Sequence, residues 1–260
     1  MLKKLILIIC FIFTTSLCFG ATKYYSGSGD GYTDRYDDSE SSVGANWEIT
    51  HNAESSNNGN NPSSSDILYV DTYLDNATGE GTYWATELQR AFIPINTSGI
   101  DDDAVIKSAV LNIYAVAASK MDEINDSYSY IAVVGETSQA STSEITWNDY
   151  DKCGSIDSPT VLSSNIDLTD ITEGQYLQIP LNEAGIGLVN KTGYTMLGIR
   201  GGHDIEDVYT GVAEGHSANS EIVFYGSNYT GTDKDPYLEI TIATPQAVIN
   251  NAVIKNAVIR

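Results

Sequence analysis

Short runs of alternating hydrophobic and polar residues recur along the chain between residues 67 and 242. In the run 237–242, every second side chain can face a core while the others face water, as in a half-buried strand. Gly, Ser, Thr, Asn and Asp residues separate these runs and favour turns. The pattern predicts eight strands, at residues 67–73, 90–95, 106–116, 129–134, 176–181, 194–199, 222–225 and 237–242.

The fold class follows from the scarcity of helical patterns. Only residues 182–190 show one, and this segment is too short for the crossover helix of a parallel βαβ unit. Strands joined by turns favour an antiparallel arrangement in two packed sheets. We therefore predict an all-β protein, an antiparallel β-sandwich of jelly-roll-like topology, with one domain at residues 21–243. Residues 21–65 are rich in Gly, Ser, Asn and Asp and predict mainly loops, apart from a short apolar stretch at 47–50.

Both ends differ in character from this domain. Residues 1–20 combine two lysines, an apolar run at 5–13 and small residues near position 20, which is typical of a secretory signal peptide. The apolar run is shorter than the roughly 20 residues that a membrane-spanning helix needs. We therefore expect a secreted protein that is extracellular or at the cell surface. Residues 244–260 form a tail that repeats AVINN, AVIKN and AVIR. A period of five residues would not keep the apolar side chains on one face of either a helix or a strand.

The charge of the chain excludes two classes of partner. The sequence has 13 Lys and Arg against 35 Asp and Glu, a formal net charge of -22. Loss of residues 1–20 removes two lysines and makes the charge -24. Nucleic acid is excluded because binding a phosphate backbone requires surplus basic residues, and an anionic membrane surface is excluded for the same reason. The same cleavage leaves Cys153 as the sole cysteine, so no disulfide can form within the chain, and we expect Cys153 to be buried.

Four sequence blocks occur in an order that is similar to that of a known family. They are RAFIPI at 90–95, AVIKSAVLNIY at 104–114, SEITWN at 143–148 and DPYLEIT at 235–241. The chain thus resembles the DNRLRE domain, also called carbohydrate-binding module family 96, in which an Arg-led strand precedes an I-x-x-A-x-L-x-I-Y strand and a T-W-N turn. The segments DLTD at 167–170 and GYTMLGI at 193–199 also resemble segments of that family. The resemblance covers residues 90–242.

The resemblance implies a secreted β-sandwich that binds polysaccharide and is usually attached to other modules. The chain departs from the family pattern in three respects. It lacks the literal DNRLRE string, the region before Arg90 is long and irregular, and no catalytic module accompanies it. These departures weaken the prediction of a polysaccharide ligand more than they weaken the prediction of a β-sandwich.

Recognition of a polysaccharide predicts a particular use of aromatic side chains. Their ring faces pack against the C–H faces of sugars, while polar neighbours bind the hydroxyl groups. Among residues in polar segments, Trp84 with its neighbour Tyr83 fits this use best, and Trp47 comes next. Packing of Trp84 in the core is the alternative. We therefore predict ligand binding at Trp84, Tyr83 and Trp47.

Arg90 is the fourth predicted ligand-binding residue, because basic residues are scarce in this chain. Its guanidinium either forms a structural ion pair or holds an acidic sugar through two hydrogen bonds. Trp147 belongs to one of the family blocks and is expected to be structural. Tyr209, Tyr225 and Tyr229 are weaker aromatic candidates.

The abundance of aspartates suggests calcium as a cofactor, because Ca²⁺ takes six to eight oxygen ligands from carboxylates and carbonyl groups. Dense sets predict metal ligands at Asp30, Asp34 and Asp37, and at Asp101 and Asp103. Asp233 with Asp235 is a third dense set. None of them has the spacing of an EF-hand loop. A solvated acidic surface is the alternative interpretation of each set.

Catalysis has little support in the sequence. The three histidines lie in polar segments, and no HExxH, GxSxG or phosphate-loop pattern occurs. We therefore predict a secreted, non-catalytic module that binds extracellular polysaccharide and is stabilised by calcium. The alternative is a structural or adhesive protein that assembles with copies of itself through its tail or an edge strand.

Overall fold

The computed structural model describes residues 20–57, 66–76, 84–119, 126–135, 137–209 and 214–243. The fold is all-β and antiparallel, as the alternating pattern predicted. The predicted signal peptide, apart from its last residue, and the repeat tail lie outside the described residues. The strands are β1 Ala21–Tyr25, β2 Gly31–Asp37, β3 Ile67–Asn76, β4 Trp84–Asn96, β5 Ile106–Ser119, β6 Tyr130–Val134, β7 Ile166–Asp167, β8 Tyr176–Pro180, β9 Tyr194–Gly201, β10 Ser217–Tyr225 and β11 Tyr237–Ile242. The α-helices are α1 Val43–His51, α2 Glu183–Leu188 and α3 Gly202–Glu206.

The strands form two halves that share one long strand, β5. A smaller sheet has the order β1-β11-β5-β8. A larger sheet continues from the second half of β5 in the order β5-β10-β3-β4-β9-β6-β7, and β2 pairs with β4. Every pairing between these strands is antiparallel.

The main core lies between the two sheets. Leu111, Leu238 and Ile240 contribute from the smaller sheet, and Ile93 and Leu197 from the larger one. All five are at most 1% exposed, so alternate positions of each strand are removed from water. This burial of apolar surface is the dominant favourable contribution to folding.

The opposite face of the larger sheet is also covered. Helix α1 packs Trp47 against Leu74 and Leu88 of the sheet, and Tyr150 completes the same cluster. Farther along the sheet, Cys153 packs with Phe92 and Val134. Cys153 is therefore buried, as expected, and burial raises the pKa of its thiol to about 12.

All eight predicted strands are present, whereas the region before residue 66 holds structure that the pattern did not predict. Strands β1 and β2 contain many polar residues, and their pairing with β11 and β4 supplies backbone hydrogen bonds that compensate for weak hydrophobic alternation. Ser42 caps the N-terminus of helix α1, because its side chain accepts a hydrogen bond from the Ala45 N–H. No helix among the described residues is long and apolar enough to cross a membrane.

A buried ionic network joins the larger sheet to its covering layer. The carboxylate of Asp204 on α3 receives paired hydrogen bonds from Arg90 on β4, at 2.9 and 2.7 Å, and from Arg200 on β9, at 2.6 and 2.8 Å. All three residues are at most 1% exposed. Their remaining N–H groups donate to main-chain oxygens, including those of His51 and Tyr150. The two guanidinium groups outweigh the effect of burial and hold the pKa of Asp204 far below its usual range.

The substitution Asp204→Asn is expected to lower the free energy of unfolding by about 3–5 kcal/mol, because it leaves two buried guanidinium groups without their anion. Urea denaturation measures the loss. Asp151→Asn is the control, since Asp151 pairs with the more exposed Lys152 and such a pair contributes only about 0–1 kcal/mol. An equally small loss in both variants would contradict a supporting role for the network.

Candidate functional site

The predicted ligand-binding residues do not share an exposed surface. Trp47 is fully buried and donates a hydrogen bond from its ring nitrogen to Asp207 at 2.7 Å, so it has no ring face open to a sugar. Arg90 is 1% exposed and forms the structural ion pair, the first of the two alternatives for this residue. Trp84 is half-buried against the cluster beneath α1. Tyr83 lies outside the described residues.

Trp147 corrects a further expectation. It was predicted to be structural, yet 52% of its surface is exposed. It begins a short 3-10 turn, at residues 147–152, whose buried members are Asp149 and Tyr150. The turn is therefore anchored by these two residues, and the tryptophan ring is left at the surface.

The predicted calcium ligands are likewise dispersed. Asp30 is buried and accepts hydrogen bonds from Ser26 and from the N–H and hydroxyl of Ser227, so it ties two turns together. Asp37 accepts from Ser39 and lies 3.5 Å from Arg35. Across the described ranges, no three acidic, histidine or cysteine side chains are placed to share a metal ion. The set of Asp30, Asp34 and Asp37 is therefore not a single site.

The second predicted metal set lies in an exposed turn. The Asp101 carboxylate accepts a hydrogen bond from the Asp103 N–H at 2.9 Å, an Asx-type turn that needs no ion. Both residues are exposed. These acids therefore stabilise a turn before β5.

The outer face of the smaller sheet carries a continuous row of tyrosines. On β11, Leu238 and Ile240 point into the core. Tyr237, the residue before Leu238, therefore points outward. The same alternation puts Tyr25 of β1, Tyr114 of β5 and Tyr176 of β8 on this face, and Tyr25 and Tyr114 pair directly with Tyr237 and Tyr176. We name this surface the tyrosine platform. Its members are Tyr25, Tyr237, Tyr176, Tyr114, Tyr225 and Tyr229.

The six rings form a chain of contacts. Ring centroids are 5.4 Å apart for Tyr25 and Tyr237, and 5.1 Å apart for Tyr237 and Tyr176. The chain continues through Tyr114 at 5.3 Å and Tyr225 at 5.7 Å, and it ends at Tyr229 after 4.0 Å. All five pairs are tilted or edge-to-face rather than stacked face to face. Tyr25 is 43% exposed, while Tyr237 is almost covered by its neighbours.

Two lysines and two amides add polar groups to the platform. The Lys23 ammonium lies 4.2 Å from the ring centre of Tyr237, and that of Lys234 lies 4.6 Å from the ring centre of Tyr225. Hydrogen bonds to tyrosine hydroxyls raise the pKa of both lysines, so both stay charged at neutral pH. Asn112 and Gln178 pair across β5 and β8, and the Asn112 side-chain oxygen receives no hydrogen bond from any described residue.

Hydrogen bonds hold the middle of the platform in place. The Tyr176 hydroxyl donates to the main-chain oxygens of Asp233 and Asp235, each at 3.1 Å. The Tyr114 hydroxyl donates to the main-chain oxygen of Gly174. Because these rings are fixed before any ligand arrives, little entropy is lost on binding. The arrangement is suited to stacking on the apolar faces of a ligand that also carries hydroxyl groups.

The sequence pattern missed most of this surface, although Tyr225 and Tyr229 were weak candidates. Its tyrosines come from β1, β5, β8, β10, β11 and the turn after β10, so no local motif connects them. Hydrophobic alternation could have placed Tyr114 and Tyr237 on the outward faces of their predicted strands. The same holds for Tyr25 in the short strand β1.

Below the platform, Asp235 gives folding a pH dependence. Burial, followed by the negative charges of Asp30 and Asp233, raises the pKa of Asp235 to about 6. The folded protein therefore binds a proton more tightly than the unfolded chain does, and the free energy of unfolding should fall as the pH rises towards about 6. Asp235→Asn should reduce this fall, as measured by urea denaturation between pH 4 and 7.5.

Asp71 and Asp30 have raised pKa values as well and act in the same direction, so the variant should weaken the pH dependence and not abolish it. Asp102→Asn is the control, because Asp102 is exposed and lies in a different turn. A pH dependence unchanged by Asp235→Asn would show that Asp235 does not contribute.

Comparison with known proteins does not assign a family. No protein-family model matches the chain, and no curated protein sequence matches it. The resemblance of its sequence blocks to the DNRLRE domain therefore remains a prediction.

Proposed function

We propose that this protein is a non-catalytic polysaccharide-binding module and that the tyrosine platform is its binding surface. The ligand would lie along the row of rings, with the C–H faces of successive sugars against tyrosine. This proposal moves the binding surface away from the site first predicted around Trp84 and Arg90. Secretion, predicted from residues 1–20, would bring the module to extracellular polysaccharide.

The single observation that carries the proposal is the unbroken chain of six tyrosine rings. Consecutive centroids are 4.0 to 5.7 Å apart, so the platform is long enough for more than one sugar ring. Aromatic side chains are large, rigid anchors whose hydroxyl tips can also bind polar groups. A chain of such anchors suits a repetitive, extended ligand.

The polar groups of the platform support the same ligand class. Sugar hydroxyls can donate to and accept from the exposed side-chain amide of Gln178, whereas Asn112 beside it is fully buried. Lys23 and Lys234 lie near opposite ends of the ring chain and can donate to hydroxyl or carboxylate oxygens. The surface therefore offers both apolar faces and hydrogen-bonding partners, as sugar recognition requires.

The substitutions Tyr25→Ala and Tyr225→Ala should each weaken polysaccharide binding about tenfold, which corresponds to about 1.4 kcal/mol. Each removes a ring from one part of the platform while the sandwich core stays intact. Affinity electrophoresis against neutral and uronic polysaccharides, followed by calorimetric titration with the best ligand, measures the change.

Trp147→Ala is the matched control, because it removes an exposed aromatic ring that lies outside the platform. It should bind like the unmodified protein. Loss of binding in Trp147→Ala, with binding retained in both tyrosine variants, would place the surface elsewhere. No retardation by any polysaccharide would overturn the proposed function itself.

A further inference from the structure

A row of acidic and amide side chains crosses four strands of the larger sheet. Glu221 of β10 pairs with Asp71 of β3, Asp71 pairs with Gln89 of β4, and Gln89 pairs with Asp34 of β2. Residues at the same level of an antiparallel sheet share a face. We name this set the acidic row. Glu87 lies two positions from Gln89 along β4, on the same face.

The acidic row is partly withdrawn from water. Gln89 shares a face of β4 with Ala91 and Ile93, which are buried in the core. On β3 and β10 the neighbouring residues Val70 and Ile222 belong to the core, so Asp71 and Glu221 point to the opposite face of their strands. Asp71 is nevertheless only 7% exposed, and Glu221 and Gln89 are half-buried.

Two oxygen atoms in the centre of the row have no donor. The Asp71 Oδ1 and Gln89 Oε1 atoms are buried, and neither accepts a hydrogen bond from any residue that the structure describes. The Gln89 amide instead donates to Glu87 at 2.8 Å. A buried acceptor without a partner destabilises the fold, and more so when it is charged. The two atoms belong to residues that are directly paired, so one positively charged ligand can serve both.

The charge around these atoms is uncompensated. Glu221 faces Asp71 directly, and like charges at opposed positions destabilise a sheet. Burial, together with the charges of Glu221 and Glu87, raises the pKa of Asp71 well above its usual value. Arg35, next to Asp34 in β2, points to the opposite face and bonds to the main-chain oxygen of Ser55. No described lysine or arginine forms an ion pair with Asp71 or Glu221.

We propose that the acidic row is a calcium site, in which Asp71, Glu221 and the side-chain oxygen of Gln89 hold one ion and water completes its shell. All three ligands supply oxygen, the donor atom that Ca²⁺ prefers, and the row offers no sulfur or imidazole for zinc. Ca²⁺ accepts irregular geometry with mixed protein and water ligands, whereas Mg²⁺ demands a near-ideal octahedron. The site is new relative to the predicted sets of aspartates, and it does not depend on polysaccharide binding.

The test uses the full chain, freed of metal with EGTA and exchanged into buffer at pH 7.5. Calcium chloride should raise the unfolding temperature, and the rise should grow with the logarithm of calcium concentration above Kd. Calorimetric titration with calcium should show one site. Magnesium chloride at the same concentration should give a smaller shift, and an equal shift would overturn the assignment to calcium.

Two variants locate the ion. Asp71→Asn and Glu221→Gln should each lose most of the calcium-dependent shift, and in EGTA each should unfold at a higher temperature than the unmodified protein, because repulsion between buried acids is relieved. Asp101→Asn, in an exposed turn, is the control and should keep the full shift. Absence of a calcium response in the unmodified protein, or a full response in both row variants, would overturn the proposal.

Discussion

The buried carboxylate of Asp204 is the point on which the larger sheet and its covering layer depend. It neutralises two guanidinium groups that reach it from neighbouring strands, β4 and β9. Those same groups bind main-chain oxygens of the covering segments, so one anion fixes the sheet, α1, α3 and the 3-10 turn at once. Two cations around one anion would be unstable in the interior without these carbonyl groups. The network therefore works only when all its parts are in place, which makes it a source of cooperativity.

The scarcity of cations elsewhere follows partly from this use. Of the eight described lysines and arginines, Arg90 and Arg200 are committed to the interior, and Lys23 and Lys234 lie against the tyrosine platform. Within the described ranges, no lysine or arginine forms an ion pair with Asp71 or Glu221 of the acidic row. Most acids of a chain with net charge -22 can lie on the surface without loss of hydration, yet several acids of the row are partly buried. An external cation is the simplest source of the missing charge.

The sequence predicted strands whose buried face follows from neighbouring residues along the chain. It did not predict features that depend on which strands pair with each other. Alternation predicted strands such as β5 and β11 because each residue's neighbours along the chain reveal its face. It could not predict β2, a polar strand held by its partner, or the tyrosine platform, whose rings come from different strands. The Arg90 block was recognised, but its role depended on Asp204, which lies more than a hundred residues away. The acidic row escaped detection for the same reason, because strand register alone brings its members together.

The two proposed surfaces differ in how completely they are formed. In the tyrosine platform, hydroxyl hydrogen bonds and ring contacts already fix the side chains, so a ligand meets a prepared surface. In the acidic row, repulsion and buried acceptors without donors keep the side chains from a satisfied arrangement. Strand β10 carries Glu221 of the row and Tyr225 of the platform, four residues apart. An ion that secures β10 at Glu221 would therefore also stiffen the strand that presents one end of the platform, which links metal binding to the quality of the binding surface.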